Sequence, residues 1–596
     1  MVKQSSKKDE TTSTDDQSAA SATPEVTAKS PEVKQPASKL AWLHQAKKWY
    51  LTHKKVAIPL TVVTVLLLIL AIPWTRYQSL GLALEKNFSI QVIDSTTKDP
   101  VSGALVSYGS ISAQTDGDGV AKLKVKVGSH SFFAAKKYYK DGSISAVVPI
   151  LSQKNIPKLE LIATGRQVKV NIINTINKKP LGQVNIKVAD ITAKTDNSGN
   201  ATLVLPPGAS EQKAEIGLDG YVTANVVIKV SDSKVEENKF TLTSAGKIYF
   251  LSKRTGKIDV MKSNLDGSEQ VVVFAGTGNE DESDTILLAS RDWKYLVLKS
   301  KRDGGKNAKL FWIDTSTDKL NTLDEGDAEF TVIGWSENTF VYEVSRNSVA
   351  EWQPNKVALK SFDAKTAKLT ILNQTGGVGN SSDNYRQEYM SNEFIIDDKI
   401  IFTKYWSGCC YSPDIGLLAG KQAGIYSINV NGSGFKTLKA FAYDDSNRYI
   451  YISGVLYKPK EIYYSVYTND AYKYYEYDGE VKEDANLKDV YNKFVNSVYP
   501  TYLFSPSGEQ TFWMTVRDGK NIVFVGDAEG NNEKEIAKLG EELNNYAYFT
   551  DDYMLFSKKS SELYIMSATG VKAEAELIKI TDYHKPAYGY HGYGGH

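Results

Sequence analysis

From about residue 245 to residue 581, short apolar segments and turn sequences recur roughly every 40 to 55 residues. Each unit holds three or four segments rich in Tyr, Val, Ile and Thr, separated by Asp-Gly, Asn-Gly or Ser-Gly turns. Repetition at this length with all-β character is typical of a β-propeller, in which one unit forms one four-stranded sheet. The pattern predicts roughly seven blades, with units that begin near Lys247, Thr285, Phe330, Glu393, Tyr449, Tyr502 and Tyr546.

Two of these units carry a more specific pattern. Ser505-Pro506-Ser507-Gly508 precedes an apolar segment and Arg517-Asp518-Gly519, and Ser290 to Leu296 with Arg302-Asp303-Gly304 is a degraded copy. The pattern resembles the TolB-like family and the propeller half of dipeptidyl peptidase IV. A peptidase of that type also needs a hydrolase domain with a Gly-x-Ser-x-Gly elbow, which this sequence lacks. We therefore expect a TolB-like propeller over 245–581 and no enzymatic activity.

Between residues 86 and 242 the chain repeats itself at an offset of 80 residues. In each copy apolar and polar residues alternate between turn sequences, as in a small β-sandwich. A Thr-Asp-x-x-Gly turn joins two strands, because Asp accepts hydrogen bonds from turn amides and Gly adopts positive φ. The repeat predicts two sandwiches, over 86–162 and 166–242. The matched positions are Pro100 and Pro180, Thr115 and Thr195, Asp116 and Asp196, Gly119 and Gly199, and Gly128 and Gly208.

These two copies are similar to the carboxypeptidase regulatory-like family of transthyretin-like sandwiches. The resemblance covers about 88–150 and 166–230, and it implies non-catalytic spacer or adhesion modules. Asp116, Asp118 and Asp196 also suit calcium, because hard cations take carboxylate oxygens. Turn formation alone explains the same three residues.

Residues 56–74, from Val56 to Trp74, form an uncharged apolar run. At ~1.5 Å per helical residue the run spans roughly 28 Å, enough to cross a bilayer. The juxtamembrane segment 40–55 is basic, whereas the fifteen residues after the run contain only two basic residues, Arg76 and Lys86. Lys and Arg favour the cytoplasmic side, so we expect a signal anchor with a cytoplasmic N-terminus and an extracytoplasmic C-terminal part. Cleavage after Ala83 is the alternative.

Residues 1–39 consist mostly of Ser, Thr, Lys, Glu, Gln, Ala and Pro. They contain too little apolar surface to offset the entropy of ordering, so we expect a disordered cytoplasmic tail. The combination of tail, anchor and β modules predicts a single-pass protein of a bacterial cell membrane.

Composition and motifs exclude several classes of function. The formal net charge is +1 with 24% charged residues, which argues against nucleic-acid binding. The sequence has no HExxH, CxxC or phosphate-binding loop, so we expect no cofactor. Cys409 and Cys410 are adjacent, and a bridge between them would be strained because consecutive Cα atoms lie ~3.8 Å apart. They form either a vicinal disulfide or two thiols.

Three of the six histidines lie near the C-terminus, in or beside the Gly/Tyr/His-rich tail 582–596. His584, His591 and His596 are weak candidates for a metal site, because neutral imidazoles bind Zn or Cu. Their spacing on a Gly-rich segment defines no geometry. A segment that closes or packs across the propeller, or disorder, are the alternatives.

Two segments within the propeller, 374–391 and 405–420, read as long irregular insertions, which in compact folds are usually functional or disordered. They carry the mix of aromatic residues and Arg that is enriched at binding hot spots. A second group of tyrosines, over 443–477, is explained either by packing between sheets or by binding. The candidate binding residues are Tyr385, Arg386, Tyr389, Tyr405, Trp406 and Tyr411.

Three functions fit these observations. The first is a membrane-anchored, extracytoplasmic binding or scaffold protein whose propeller engages a protein partner in the envelope or on another cell. The second is a lectin-like binder of carbohydrate or cell-wall polysaccharide, because exposed aromatic rings stack on sugars. A hydrolase with an unrecognised site in the propeller ranks last.

Overall fold

A computed structural model describes most of the chain from residue 41 onward, in these ranges: 41–71, 84–206, 208, 210–230, 238–382, 384–408, 415–458, 460–468, 471–489, 491, 503–540, 544–559, 561–570 and 577–585. The described part is nearly all β. The described residues divide into two compact units: the first holds those up to 85 together with 126–128, and the second holds the described residues of 86–125 and from 129 onward. The predicted tail 1–39 lies outside the described residues.

Two helices precede the β structure, α1 (Ala41–Thr52) and α2 (Lys54–Ala71). The predicted span 56–74 coincides with α2 up to Ala71 and then enters residues outside the described ranges. Among the helices of the described residues, none is both long enough and apolar enough to cross a bilayer. The membrane anchor stays a prediction.

Residues 85–163 form a two-sheet unit, the first sandwich. Its strands are β1 (Glu85–Asp94), β2 (Leu105–Tyr108), β3 (Ile111–Gln114), β4 (Val120–Lys126), β5 (Gly128–Ala135), β6 (Tyr139–Lys140), β7 (Gly142–Val148) and β8 (Lys158–Ala163). One sheet has the order β4-β1-β8-β6 and the other β3-β2-β5-β7. In β4 the residues Ala121, Leu123 and Val125 are buried and the lysines between them are exposed, because successive strand residues face opposite sides.

Residues 166–242 form the second sandwich. Its strands are β9 (Arg166–Asn174), β10 (Asn185–Val188), β11 (Ile191–Lys194), β12 (Asn200–Leu205), β13 (Glu211–Gly217), β14 (Ala224–Lys229) and β15 (Asn238–Leu242). The sheets have the orders β12-β9-β15 and β11-β10-β13-β14, and β15 pairs with β9 in parallel. In the first sandwich β8 pairs with β1 in the same way.

The Thr-Asp-x-x-Gly turn explains why the sequence repeats. Thr195 Oγ1 accepts a hydrogen bond from the Val184 amide (2.9 Å) and donates one to the Leu181 carbonyl (2.6 Å). Asp196 Oδ1 accepts the amides two and four residues later. Gly199 has φ +74°, and an added Cβ would lie 2.4 Å from the Ile172 carbonyl oxygen. Thr115, Asp116 and Gly119 make the same contacts in the first copy.

Residues 248–442 form four consecutive antiparallel sheets, blades 1 to 4. Blade 1 contains β16 (Ile248–Ser252), β17 (Asp259–Ser263) and β18 (Val271–Phe274); blade 2 contains β19 (Ile286–Ala289), β20 (Tyr295–Ser300), β21 (Lys309–Asp314) and β22 (Lys319–Asp324); blade 3 contains β23 (Ala328–Ser336), β24 (Thr339–Arg346), β25 (Val357–Asp363) and β26 (Lys368–Gln374); blade 4 contains β27 (Gly377–Ser381), β28 (Asn384–Ile396), β29 (Lys399–Ser407), β30 (Gln422–Asn429) and β31 (Lys436–Ala442). A short 3₁₀ turn, Ile415–Leu418, lies between β29 and β30.

Three more sheets follow as blades 5 to 7. Blade 5 contains β32 (Ile450–Lys458), β33 (Glu461–Thr468), β34 (Ala471–Tyr477) and β35 (Val481–Glu483); blade 6 contains β36 (Leu503–Phe504), β37 (Gln510–Arg517), β38 (Lys520–Asp527) and β39 (Lys534–Leu539); blade 7 contains β40 (Asn544–Thr550), β41 (Tyr553–Lys558), β42 (Glu562–Ser567) and β43 (Ile578–Thr581). In every blade each strand pairs with the next one in the chain.

Blades 1 to 5 pack against one another in chain order, and blades 6, 7 and 1 do the same. Shared hydrophobic clusters join blades 1 and 2, 2 and 3, 3 and 4, 4 and 5, 6 and 7, and 7 and 1. The segment after β43 then pairs with β16: Ser252 bridges His584, and Lys253 N donates to the Tyr583 carbonyl (2.8 Å). The C-terminal segment thus supplies the fourth strand position of blade 1. Consecutive meander sheets closed in this way constitute a β-propeller.

The same repeat position joins each sandwich to the module that follows it. Asp94, at the end of β1, accepts a hydrogen bond from Gln167 Nε2 at the start of the second sandwich (2.7 Å). Its counterpart Asn174, at the end of β9, donates to the Tyr553 hydroxyl of blade 7 (3.0 Å). The neighbouring Ile176 is buried in the cluster that joins blades 7 and 1. Both junctions therefore combine capping of a strand end with a contact to the next module.

Candidate functional site

The segment predicted as the first irregular insertion, 374–391, is a β-hairpin. β27 pairs with residues 384–387 at the start of β28, and β28 from Gln387 onward pairs with β29. β27 is therefore a fifth strand of blade 4. The Gly- and Ser-rich sequence of this segment is typical of a loop. Here, however, Gly379 lies at a β-bulge in the pairing, and its φ of +117° is one that glycine adopts readily. The expectation of an irregular loop here was wrong.

Two of the predicted binding residues, Arg386 on β28 and Trp406 on β29, are buried. Arg386 and Trp406 are only 4% and 8% exposed. The Trp406 amide donates to the Tyr443 hydroxyl (2.8 Å), and a Cβ added to Gly376 would lie 2.7 Å from the Trp406 ring. Arg386 donates to the Tyr385 carbonyl (2.7 Å). The structure therefore places Arg386 and Trp406 in the framework of blade 4.

A buried ion pair supports the same hairpin. Lys404 Nζ lies 2.6 Å from Glu388 Oε2, and both side chains are 11% exposed. The same carboxylate accepts the Gly376 amide (2.8 Å), and Lys404 also donates to Asn373 (3.1 Å). Because further hydrogen bonds satisfy both ions, the pair holds β28 and β29 in register.

Tyr389 and Tyr405 form the first half of an aromatic surface. They are direct cross-strand partners on β28 and β29, and their rings stack with centroids 5.7 Å apart. Both are half-buried, and burial raises the pKa of both phenols. Tyr385 lies further along the same hairpin, where its ring is 6.2 Å from that of Trp352 in blade 3.

Blade 5 supplies the second half. Tyr451, Tyr467 and Tyr472 are successive cross-strand partners on β32, β33 and β34. The ring centroids are 6.3 Å apart between Tyr451 and Tyr467, and 5.0 Å apart between Tyr467 and Tyr472. Tyr451 is 45% exposed and Tyr472 is 61% exposed.

The topology brings the two halves together. In an antiparallel meander the start of the first strand, the end of the second and the start of the third lie side by side at the same end of the sheet. β28 and β29 contact β32, and the Tyr405 and Tyr451 rings meet edge to face with centroids 5.7 Å apart. We call the continuous set Tyr389, Tyr405, Tyr451, Tyr467 and Tyr472 the tyrosine ribbon.

Four other tyrosines of 443–477 serve packing. Tyr464 and Tyr475 are buried in the cluster between blades 4 and 5, and Tyr463 and Tyr474 are buried within blade 5. Tyr467 and Tyr472 belong to the ribbon instead. In this group some tyrosines therefore pack between or within the sheets, and others belong to the candidate binding surface. Tyr451 is absent from the residues predicted from the sequence, because its place opposite Tyr467 depends on a register that the structure alone shows.

A cavity of about 320 Å³ opens between the two halves of the ribbon. Four ribbon tyrosines form its walls, and Ile452, Ser453 and Ser465 form its base. Tyr491 hydrogen-bonds both serines from the interior, and burial raises its pKa. The arrangement is a preformed, uncharged aromatic cleft, a geometry suited to binding.

His584 is the one predicted metal candidate within the described residues, and it lies in the closing strand. It is 4% exposed, and Nδ1 is 2.9 Å from Ser557 Oγ. Burial, together with the adjacent charge of Lys585, lowers its pKa to about 3, so the imidazole is neutral. No cluster of three or more metal-ligating side chains occurs in the described ranges. Tyr411, Cys409, Cys410, His591 and His596 lie outside them.

A buried carboxyl pair, which the sequence analysis did not detect, lies between blades 3 and 4. Glu343 on β24 and Glu393 on β28 hydrogen-bond each other, and the Oε1 atom of each is buried without a partner, as is the Tyr464 hydroxyl. Burial raises the pKa of both carboxyls, and the charge of Glu393 raises that of Glu343 further. The pair therefore holds a proton that a solvent-exposed carboxyl would release.

Comparison with known proteins gives similarity to solved structures alone. No family model and no curated protein matches the chain. The β-propeller domain of the trilobed protease from Pyrococcus furiosus aligns at 14% identity and a TM-score of 0.33, over 58% of this chain and 95% of that one. TolB from Acinetobacter baumannii aligns at 13% identity and a TM-score of 0.23, over 54% and 74%.

An acylaminoacyl peptidase in complex with a chloromethyl ketone also aligns, at 15% identity and a TM-score of 0.32, over 56% of this chain and 50% of that one. These likenesses concern the propeller fold. The site described above rests on the contacts of this chain.

Proposed function

We propose that the protein is a non-enzymatic binding protein that engages a protein partner through the tyrosine ribbon. The observation that carries the proposal is that two in-register sets of tyrosines, on different blades, converge on one cleft. Tyr side chains supply large apolar contact area and a hydroxyl at low entropic cost, which is why they dominate protein-binding hot spots.

The rigidity of the surface favours this function. Tyr389 and Tyr405 stand on strands that the buried Glu388–Lys404 pair holds in register. Tyr467 lies between Tyr451 and Tyr472 in one blade, so neither outer ring can collapse onto the other. Preorganised side chains lose little freedom on binding, and this lowers the cost of association.

The proposal includes the wider architecture. A cytoplasmic tail and a signal anchor at 56–74 would hold an extracytoplasmic part in a bacterial cell envelope, and two regulatory-like sandwiches would space a seven-bladed, TolB-like propeller from the membrane. The junctions at Asp94 and Asn174 support the spacer role, because each adds a defined side-chain contact to the covalent link.

Photo-crosslinking tests the partner. The full chain would carry benzoylphenylalanine at position 472 in cells that produce it, with position 583 as the control, because Tyr583 is comparably exposed (47%) but lies on the closing strand of blade 1. We expect one discrete protein adduct from position 472 and none from 583. The same adducts from both positions, or none from 472, would refute the proposal.

Carbohydrate binding is the alternative that the same experiment separates. Exposed rings at Tyr451 and Tyr472 also suit stacking on sugars. In that case position 472 would give no protein adduct, and the full chain would be retained on cell-wall polysaccharide and released by free sugar.

A further inference from the structure

The cavity of the tyrosine ribbon is an open cleft lined by rings that meet at steep angles. The Tyr405 and Tyr451 ring planes are inclined by 61°, and those of Tyr467 and Tyr472 by 57°. Rings inclined in this way have faces that point in different directions around the cavity. The volume, about 320 Å³, admits a compact group the size of a branched side-chain terminus.

The residues that line this cavity favour a cation. Aromatic faces carry the negative part of the ring quadrupole and attract cations within ~6 Å of the centroid. The described residues that line the cavity are tyrosines, two serines and an isoleucine, so no positive charge repels a cation there. Among the described residues, no Lys or Arg lies over the rings of Tyr405, Tyr451 or Tyr472.

Other aromatic faces in blades 4 and 5 already hold cations. Lys421 Nζ lies 5.0 Å from the centroid of the buried Trp406 ring, and Lys439 Nζ lies 5.5 Å from that of Tyr475. Tyr451 and Tyr472, the two most exposed rings of the cavity, differ from Trp406 and Tyr475 because no described Lys or Arg lies over them.

We propose that the cavity is an aromatic cage for an alkylammonium group, and that the group is a lysine side chain, free or methylated, of the partner protein. The commitment to a protein side chain rests on the proposed function; the preference for a cation rests on the cavity alone. Methylation of the lysine lowers the cost of removing its ammonium group from water and adds contact with the rings, so it should tighten binding.

Small probes test the cation preference directly on the full chain. Choline and its uncharged isostere 3,3-dimethylbutan-1-ol would be titrated by ligand-detected NMR. A second pair, N-acetyl-lysine methylamide and N-acetyl-norleucine methylamide, repeats the comparison with amino-acid side chains. We expect each cation to bind at least tenfold more tightly than its neutral counterpart.

Variants locate the site. Tyr451→Phe keeps the aromatic face and should change choline affinity by less than threefold, whereas Tyr451→Leu and Tyr472→Leu should each weaken it at least tenfold. Tyr449→Leu is the matched control, because Tyr449 is 43% exposed beside Tyr451 and does not line the cavity. Thermal unfolding of each variant checks that the fold is retained.

Every outcome decides the proposal. Equal binding of charged and neutral probes, or no binding of any probe, overturns the cage even if position 472 crosslinks to a protein. Binding of choline but not of the lysine amide overturns the lysine and assigns the cage to a quaternary ammonium headgroup. A failure of crosslinking with intact cation selectivity refutes the protein partner and leaves the cage in place.

Discussion

Replacing Glu343 by Gln should remove a pH dependence from the stability of the propeller. In the folded protein Glu343 shares a proton with Glu393, because burial disfavours the charged form and a second carboxyl lies against it. Gln has the same shape, stays neutral at every pH and can donate an N–H to the Glu393 carboxyl. The substitution therefore keeps the hydrogen bond and removes the titration of Glu343, while the buried Glu393 still titrates.

The sign and size follow from linkage. The pKa of Glu343 is raised above its ordinary value of 4.5, so above that pH the unfolded chain has released a proton that the folded chain retains. Stability is therefore full at low pH and is lost as pH rises toward the folded pKa. One proton of difference corresponds to ~1.4 kcal/mol per pH unit, or about 3 kcal/mol between pH 5 and pH 7.

Urea unfolding of the full chain, followed by Trp fluorescence at several values between pH 5 and pH 8, measures this slope. We expect the Glu343→Gln curve to be flatter than wild type by about one proton and to cross above it as pH rises. Glu329→Gln is the control, because Glu329 is exposed on the neighbouring β23. Parallel curves for wild type and Glu343→Gln would refute the shared proton.

Two further substitutions and one deletion test the framework of the site and the modules. Lys404→Met should cost ~3–5 kcal/mol in urea unfolding because it leaves a buried carboxylate unpaired; a loss below 1 kcal/mol would contradict the buried pair. Deletion of 583–596 should lower the melting temperature by at least several degrees in calorimetry, because blade 1 loses its fourth strand position; an unchanged transition would show that the ring closes otherwise. Gly199→Ala should destabilise the chain by ~1–3 kcal/mol more than Gly220→Ala in urea unfolding. Both glycines have positive φ (74° and 79°), but of the two only Gly199 would place an added Cβ against a backbone oxygen. Equal destabilisation by the two substitutions would mean that φ alone matters.

The β architecture was largely readable from the sequence because it depends on local patterns. The Thr-Asp-x-x-Gly turn needs an oxygen acceptor and a residue at positive φ at fixed spacing, so both copies show it in the printed letters. The propeller repeat is visible for the same reason, since each blade needs its own turns.

The candidate site was predicted less well. Tyr389 and Tyr405 do lie on an exposed aromatic surface, but Arg386 and Trp406 were grouped with them although they point into the blade. Once 399–407 is recognised as a strand, neighbouring residues such as Tyr405 and Trp406 must face opposite sides. Reading the segment as an irregular loop concealed this alternation.

The sequence by itself determined the all-β character, the turns of the sandwiches and how often the modules repeat, because these depend on residues close together in the chain. The tertiary structure alone decided which tyrosines meet, which of them pack, and that Glu343 lies against Glu393. Those contacts join different strands and different blades, and no spacing along the chain encodes the register and curvature that bring them within reach.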